Sequence, residues 1–116
     1  MANPVVHWEI GAKDAKKLGE FYSQVFGWKV NTDNPMNYGM VSPGGPGGID
    51  GGIFQTRPGD PNYLTFYIQV DDLQASLDKA EALGGKTVVP PMPIPNVGAI
   101  ALFQDPEGHT VGLFKR

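Results

Sequence analysis

"VVHWEIGAKDAKKLGEFYSQVFGW", residues 5–28, changes its apolar period part-way along, and that change sets the plan of the first half of the chain. Over 5–10, Val5, His7 and Glu9 alternate with Val6, Trp8 and Ile10, the period of two of a β-strand. From Leu18 the spacing becomes i, i+3, i+4, i+7 and i+8 through Phe21, Tyr22, Val25 and Phe26, the stripe of an amphipathic helix. Asp14 is suited to cap the start of that helix, and Gly27 to the left-handed position that ends it. Three short strands are predicted next, over 28–30, 37–42 and 51–56, the last two separated by "PGGPGGID". The first half therefore reads β-α-β-β-β.

The second half repeats the order. "YLTFYIQV" (63–70) is a strand with Thr65, Tyr67 and Gln69 on one face and Phe66, Ile68 and Val70 on the other. A helix follows with Leu73, Leu77, Ala80 and Leu83 on one side, capped by Asp71 or Asp72 and ended by Gly84 or Gly85. "KTVVP", "GAIALFQ" and "TVGLFK" give three more strands, the last two joined across "DPEG" (105–108), which suits a type I turn. The proline-rich "VVPPMPIPNVG" is expected to form a stiff rim with little ladder pairing. An offset of 58, half of the 116 residues, sets His7 on Thr65, Ile10 on Ile68, Gly27 on Gly85 and Val30 on Val88. With two more residues, "GGIF" (51–54) falls on "VGLF" (111–114). A duplicated βαβββ unit is expected within one domain spanning 1–116, unit one at about 1–58 and unit two at about 59–116.

Composition narrows the chemistry. With 41% apolar residues the chain can bury a core, and with no cysteine it can form no disulfide, thiolate metal site or Cys nucleophile. A net charge of −3 without a run of like charges argues against nucleic acid or an anionic membrane as partner. No stretch approaches the roughly 20 apolar residues of a membrane span, and "MANPVV" lacks signal-peptide character, so a cytoplasmic location is expected. "PGGPGGIDGG" has neither the Lys-Ser/Thr ending nor the following helix of a phosphate-binding loop.

Three segments carry a family resemblance: the opening strand with "EFYSQVFGW" (20–28), the second helix ending "AEALGG" (80–85), and "FQDPEGHTVGLF" (103–114). In this order, across the whole chain, the sequence resembles the vicinal oxygen chelate superfamily, the glyoxalase / bleomycin-resistance protein / dioxygenase group. The resemblance implies an α+β fold in which two βαβββ units form curled half-barrels, an open cup with helices outside, and homodimers are common. In metal-dependent members, four inward His and Glu side chains from the first and last strands of each unit bind a divalent ion. Carried over residue by residue, those positions are His7, Gly52, Thr65 and Gly112. A catalytic divalent ion usually takes three or more protein ligands, and one imidazole does not supply them. No metal and no other cofactor is therefore expected.

Glycine at Gly52 and Gly112 is expected to open space for a ligand, because a strand glycine often marks a close approach. By strand alternation the binding wall comprises Tyr38, Met40, Gly52, Phe54, Thr65, Tyr67, Gln69, Phe103, Gly112 and Phe114, with His7 and Glu9 as acid–base candidates. The competing reading of His7 is a core histidine bonded to Glu9, Thr65 or a backbone carbonyl. His109, just after a turn, is expected to face solvent. The expected function is binding of a small organic molecule without a glyoxalase-type metal. Two alternatives stand beside it: a lyase or isomerase using His7 and Glu9 for proton transfer, and a metal-dependent lyase or dioxygenase with ligands at other positions.

Overall fold

The computed structural model describes residues 2–34, 36–42 and 45–116. The chain is α+β, built as two βαβββ units. The elements of the first are β1 (Val5–Ala12), α1 (Ala15–Phe26), β2 (Val30–Asn31), β3 (Gly39–Val41) and β4 (Gly51–Gln55). Those of the second are β5 (Tyr63–Gln69), α2 (Leu73–Ala82), β6 (Lys86–Ile94), β7 (Gly98–Gln104) and β8 (Thr110–Lys115). Compact packing divides the chain into His7–Leu64 and, separately, Thr65–Arg116 joined by residues 1–6. The amide of Gln69 donates to the carbonyl of Pro4 at 2.9 Å, which ties those first residues to β5.

Each unit has the same sheet logic. In the first, β1 runs parallel to β4, β4 antiparallel to β3, and β3 antiparallel to β2. In the second, β5 runs parallel to β8, β8 antiparallel to β7, and β7 antiparallel to β6. A helix supplies the crossover that a later parallel partner requires. Both helices start on the expected kind of cap: Asp14 accepts from the Lys17 amide and Asp72 from the Ala75 amide, each at 3.0 Å. Gly27 ends α1 at φ 75° with its amide bonded to the Ser23 carbonyl.

The cores lie between helix and sheet. Ala12, Val41 and Ile53 are buried in the first unit, with Trp8, Leu18, Tyr22 and Trp28 packed against them. Val70, Leu73, Leu77, Ala101 and Leu113 are buried in the second. The helical stripes are wider than the surface that covers them. Phe21, Val25 and Phe26 of the α1 stripe are exposed, as is Leu83 beyond α2. The sheet beneath α1 is narrow, since β2 has two residues and β3 three.

The proline-rich segment pairs more than its sequence suggests. β6 continues through Pro90, Pro91 and Pro93 to Ile94, at the cost of irregular register between Thr87 and Val89 and between Val89 and Met92. An edge strand tolerates proline, because its outer N–H groups have no ladder partner to lose. Among the described residues, no helix is long and apolar enough to cross a membrane.

Leu77 has no exposed surface and sits at the centre of the second core. Leu77→Ala is expected to lower unfolding free energy by about 2–5 kcal/mol. Urea denaturation of both proteins measures it.

Candidate functional site

Alternation along β1 puts Trp8 and Ala12 on the core side and His7, Glu9 and Gly11 on the opposite face. The neighbouring strand meets both faces with glycine. Gly51 pairs with Trp8, and a Cβ there would overlap the indole ring. Gly52 pairs with Glu9 and with Met40, and a Cβ there would overlap the Tyr38 phenol. Tyr38 thus reaches across β4 to β1.

A hydrogen-bonded array results. His7 Nε2 lies 3.0 Å from Tyr38 Oη, and Tyr38 Oη donates to Glu9 Oε2 at 2.7 Å. Tyr63 Oη donates to the other carboxylate oxygen, Glu9 Oε1, at 2.6 Å. Its ring lies over Gly11, where a Cβ would overlap it. Hydroxyl-to-carboxylate bonds of this length are charge-assisted and stronger than neutral ones. They answer the cost of a half-buried carboxylate. The Phe54 ring stands 6.1 Å from that of Tyr38, and the Tyr38 and His7 rings are stacked at 6.2 Å. Burial pushes the His7 imidazole below its ordinary value of 6.5, against the opposing pull of Glu9 and Asp50.

The expected site residues separate as follows. His7, Glu9, Tyr38, Gly52 and Phe54 come together in the first unit, with Met40 on the same face and 45% exposed. Tyr63, at the start of β5 but within the compact part His7–Leu64, completes the group; its parity with Thr65, Tyr67 and Gln69 is the signal in the sequence that points to it. In the second unit Tyr67 pairs with Gly112 and Gln69 with Phe114, so these four share one face of their strands. The Thr65 hydroxyl donates to the Thr110 carbonyl at 2.7 Å.

Two expectations are corrected. Gly52 and Gly112 do not leave open space, because the rings of Tyr38 and Tyr67 lie over them. Phe103 does not share the face of Gly112 and Phe114: it pairs with Val111 and packs against the buried cluster under α2. Leu102 and Ile100 oppose Gly112 and Phe114 instead. The register is set by the 105–108 turn, which pairs Gln104 with Thr110 and places Phe103 one step out of phase. His109 is exposed, its Nδ1 2.9 Å from Asp105 Oδ2. The His109 amide, donating to Asp105, holds that carboxyl below its usual range.

The set His7, Gly52, Thr65 and Gly112 does not fit a glyoxalase-type divalent ion. Two positions carry no donor and are covered by rings, and the Thr65 hydroxyl gives its proton to a carbonyl. Among the described residues, no three His, Cys, Asp or Glu side chains group together. Two open depressions of the first unit, about 800 and 570 Å³, are lined by neither His7 nor Glu9. The hydrogen-bonded array, not the shape of the surface, marks the candidate site.

A family model described as the Glyoxalase/Bleomycin resistance protein/Dioxygenase superfamily matches residues 5–113. The chain belongs to this superfamily. It is 32% identical over 116 residues to a glyoxylase-like domain-containing protein of Didymella fabae, covering 93% of this chain and 90% of that protein. It is 35% identical over 80 residues to the CFP32 protein of Mycobacterium bovis, covering 69% of this chain. The chain spans 30% of that relative's length. Among solved structures it resembles protein BH1468 of Bacillus halodurans C-125, with a TM-score of 0.75 at 13% identity over 100% of this chain and 96% of that one. The superfamily member described here is glyoxalase-like, with the tyrosine-covered glycines as its local feature.

Two outcomes follow from this geometry. Gly52→Ala is expected to cost about 1–3 kcal/mol, because the new methyl displaces the Tyr38 phenol; chemical denaturation measures it. The unfolded chain takes up a proton at His7 near 6.5, whereas the folded chain takes it up only at lower pH. In the window just below 6.5 the unfolded state binds more protons, so this group makes stability fall on acidification. His7→Gln is expected to flatten that part of the pH–stability curve, and an unchanged slope would contradict the assignment.

Proposed function

We propose that this protein binds a small organic molecule on the face formed by His7, Glu9, Tyr38 and Phe54, without a glyoxalase-type metal. The observation that carries the reading is the array joining His7, Tyr38, Glu9 and Tyr63 on a partly exposed aromatic face. Such a face combines the apolar contact area and the few oriented polar groups that small-molecule sites use. The tyrosines over Gly11 and Gly52 are held in place, so little ordering remains to be done on binding. Within this reading Tyr67, Gln69 and Phe114 line the corresponding face of the second unit.

A second reading, proton transfer as in a lyase or isomerase, is favoured by one specific feature. His7 and Glu9 are not separate groups but are linked through a single phenol, so a proton has a continuous hydrogen-bonded path between them.

The test is a thermal-shift panel of flat aromatic and carbonyl-bearing small molecules, run on the protein and on Phe54→Ala, with divalent metals added back to protein purified without a chelating tag. The expected result is stabilisation by at least one organic compound, a loss of about tenfold or more in its affinity in Phe54→Ala (the roughly 1.5–3 kcal/mol of a buried apolar side chain), and no stoichiometric metal binding. Stoichiometric, stabilising metal uptake with no organic ligand overturns the proposal.

A further inference from the structure

The array has three hydrogen bonds but only two hydroxyl protons, so the third proton must come from His7, and that count fixes its direction. Tyr38 has a single hydroxyl proton, and its bond to Glu9 Oε2, 2.7 Å long, uses it, because a carboxylate oxygen offers only lone pairs. The phenol oxygen therefore meets His7 Nε2, 3.0 Å away, with a lone pair. Two acceptors cannot bond to one another, so Nε2 must carry a hydrogen. Since burial favours the uncharged ring, the neutral imidazole has its hydrogen on Nε2.

Tyr63 supports the same direction from the far end. Its hydroxyl occupies Glu9 Oε1 at 2.6 Å, so the carboxylate is held at both oxygens and presents Oε2 to Tyr38. The glycine positions make the arrangement rigid: Gly52 admits the Tyr38 ring and Gly11 the Tyr63 ring, and a methyl at either would displace them.

We infer that Tyr38 is a positioning residue that fixes His7 as the Nε2–H tautomer by spending its only proton on Glu9. The inference rests on the array of the proposed site but not on any ligand, and it extends that reading by giving His7 and Glu9 a shared, directional hydrogen-bond chain.

The experiment is long-range ¹H–¹⁵N NMR of the imidazoles in the ligand-free protein above the titration of His7. Tyr38→Phe and Tyr63→Phe are compared with the parent. The parent is expected to show the Nε2–H coupling pattern at His7. Tyr38→Phe, whose ring still covers Gly52, is expected to lose it in favour of a mixture of tautomers, whereas Tyr63→Phe keeps it. An Nδ1–H pattern in the parent, an unchanged pattern in Tyr38→Phe, or equal loss in both variants overturns the inference. Because no ligand is present, this result stands apart from the outcome of the binding panel.

Discussion

A tyrosine ring can lie flat across a β-strand only where that strand carries hydrogen instead of a side chain. This close approach organises the polar face of the first unit. Gly52 lets Tyr38 cross β4, and Gly11 lets Tyr63 lie against β1. Without those two gaps neither phenol could reach Glu9, and the half-buried carboxylate would face the desolvation cost without its two charge-assisted donors. The same device appears on the other side of the strand, where Gly51 accommodates the Trp8 indole in the core. Consecutive glycines thus serve opposite faces of one strand.

The second unit repeats the approach at Gly112, over which Tyr67 lies. In metal-dependent relatives the resemblance leads one to expect an ion-binding side chain at both of these strand positions. Here each position carries no side chain and is covered by an aromatic ring from a strand or loop of its own unit. In the first unit the phenol over Gly52 is the link between an imidazole and a carboxylate.

Most of the fold was legible in the sequence because it follows from local periods and caps. The strands at 98–104 and 110–115, the Asp14 cap and the Gly27 terminus depend on neighbours within a few residues. Where the reading missed, the deciding contact was distant or collective. Phe103 was assigned to the wrong face because alternation alone fixes a strand's two sets of residues but not which set meets the helix; its pairing with Val111 fixes that. β6 ran on through three prolines because it is an edge strand, a property of the sheet and not of the segment. Phe21, Val25 and Phe26 belong to a well-formed helical stripe, yet the short strands beneath cover only part of it.

The candidate site divides along the same line. The sequence by itself determined that His7 and Glu9 share a face, that two of the four expected ligand positions are glycines, and that the chain is a duplicated βαβββ member of its superfamily. Each is a matter of parity, residue type or order. Only the tertiary structure decided what occupies the space over the glycines and which groups His7 and Glu9 bond. Tyr38 is 31 residues from His7 and Tyr63 is 54 from Glu9, so no local pattern connects them. The meeting of Tyr38 with His7 and Glu9 follows from the register of β1, β3 and β4, which sets Gly52 where the ring must pass.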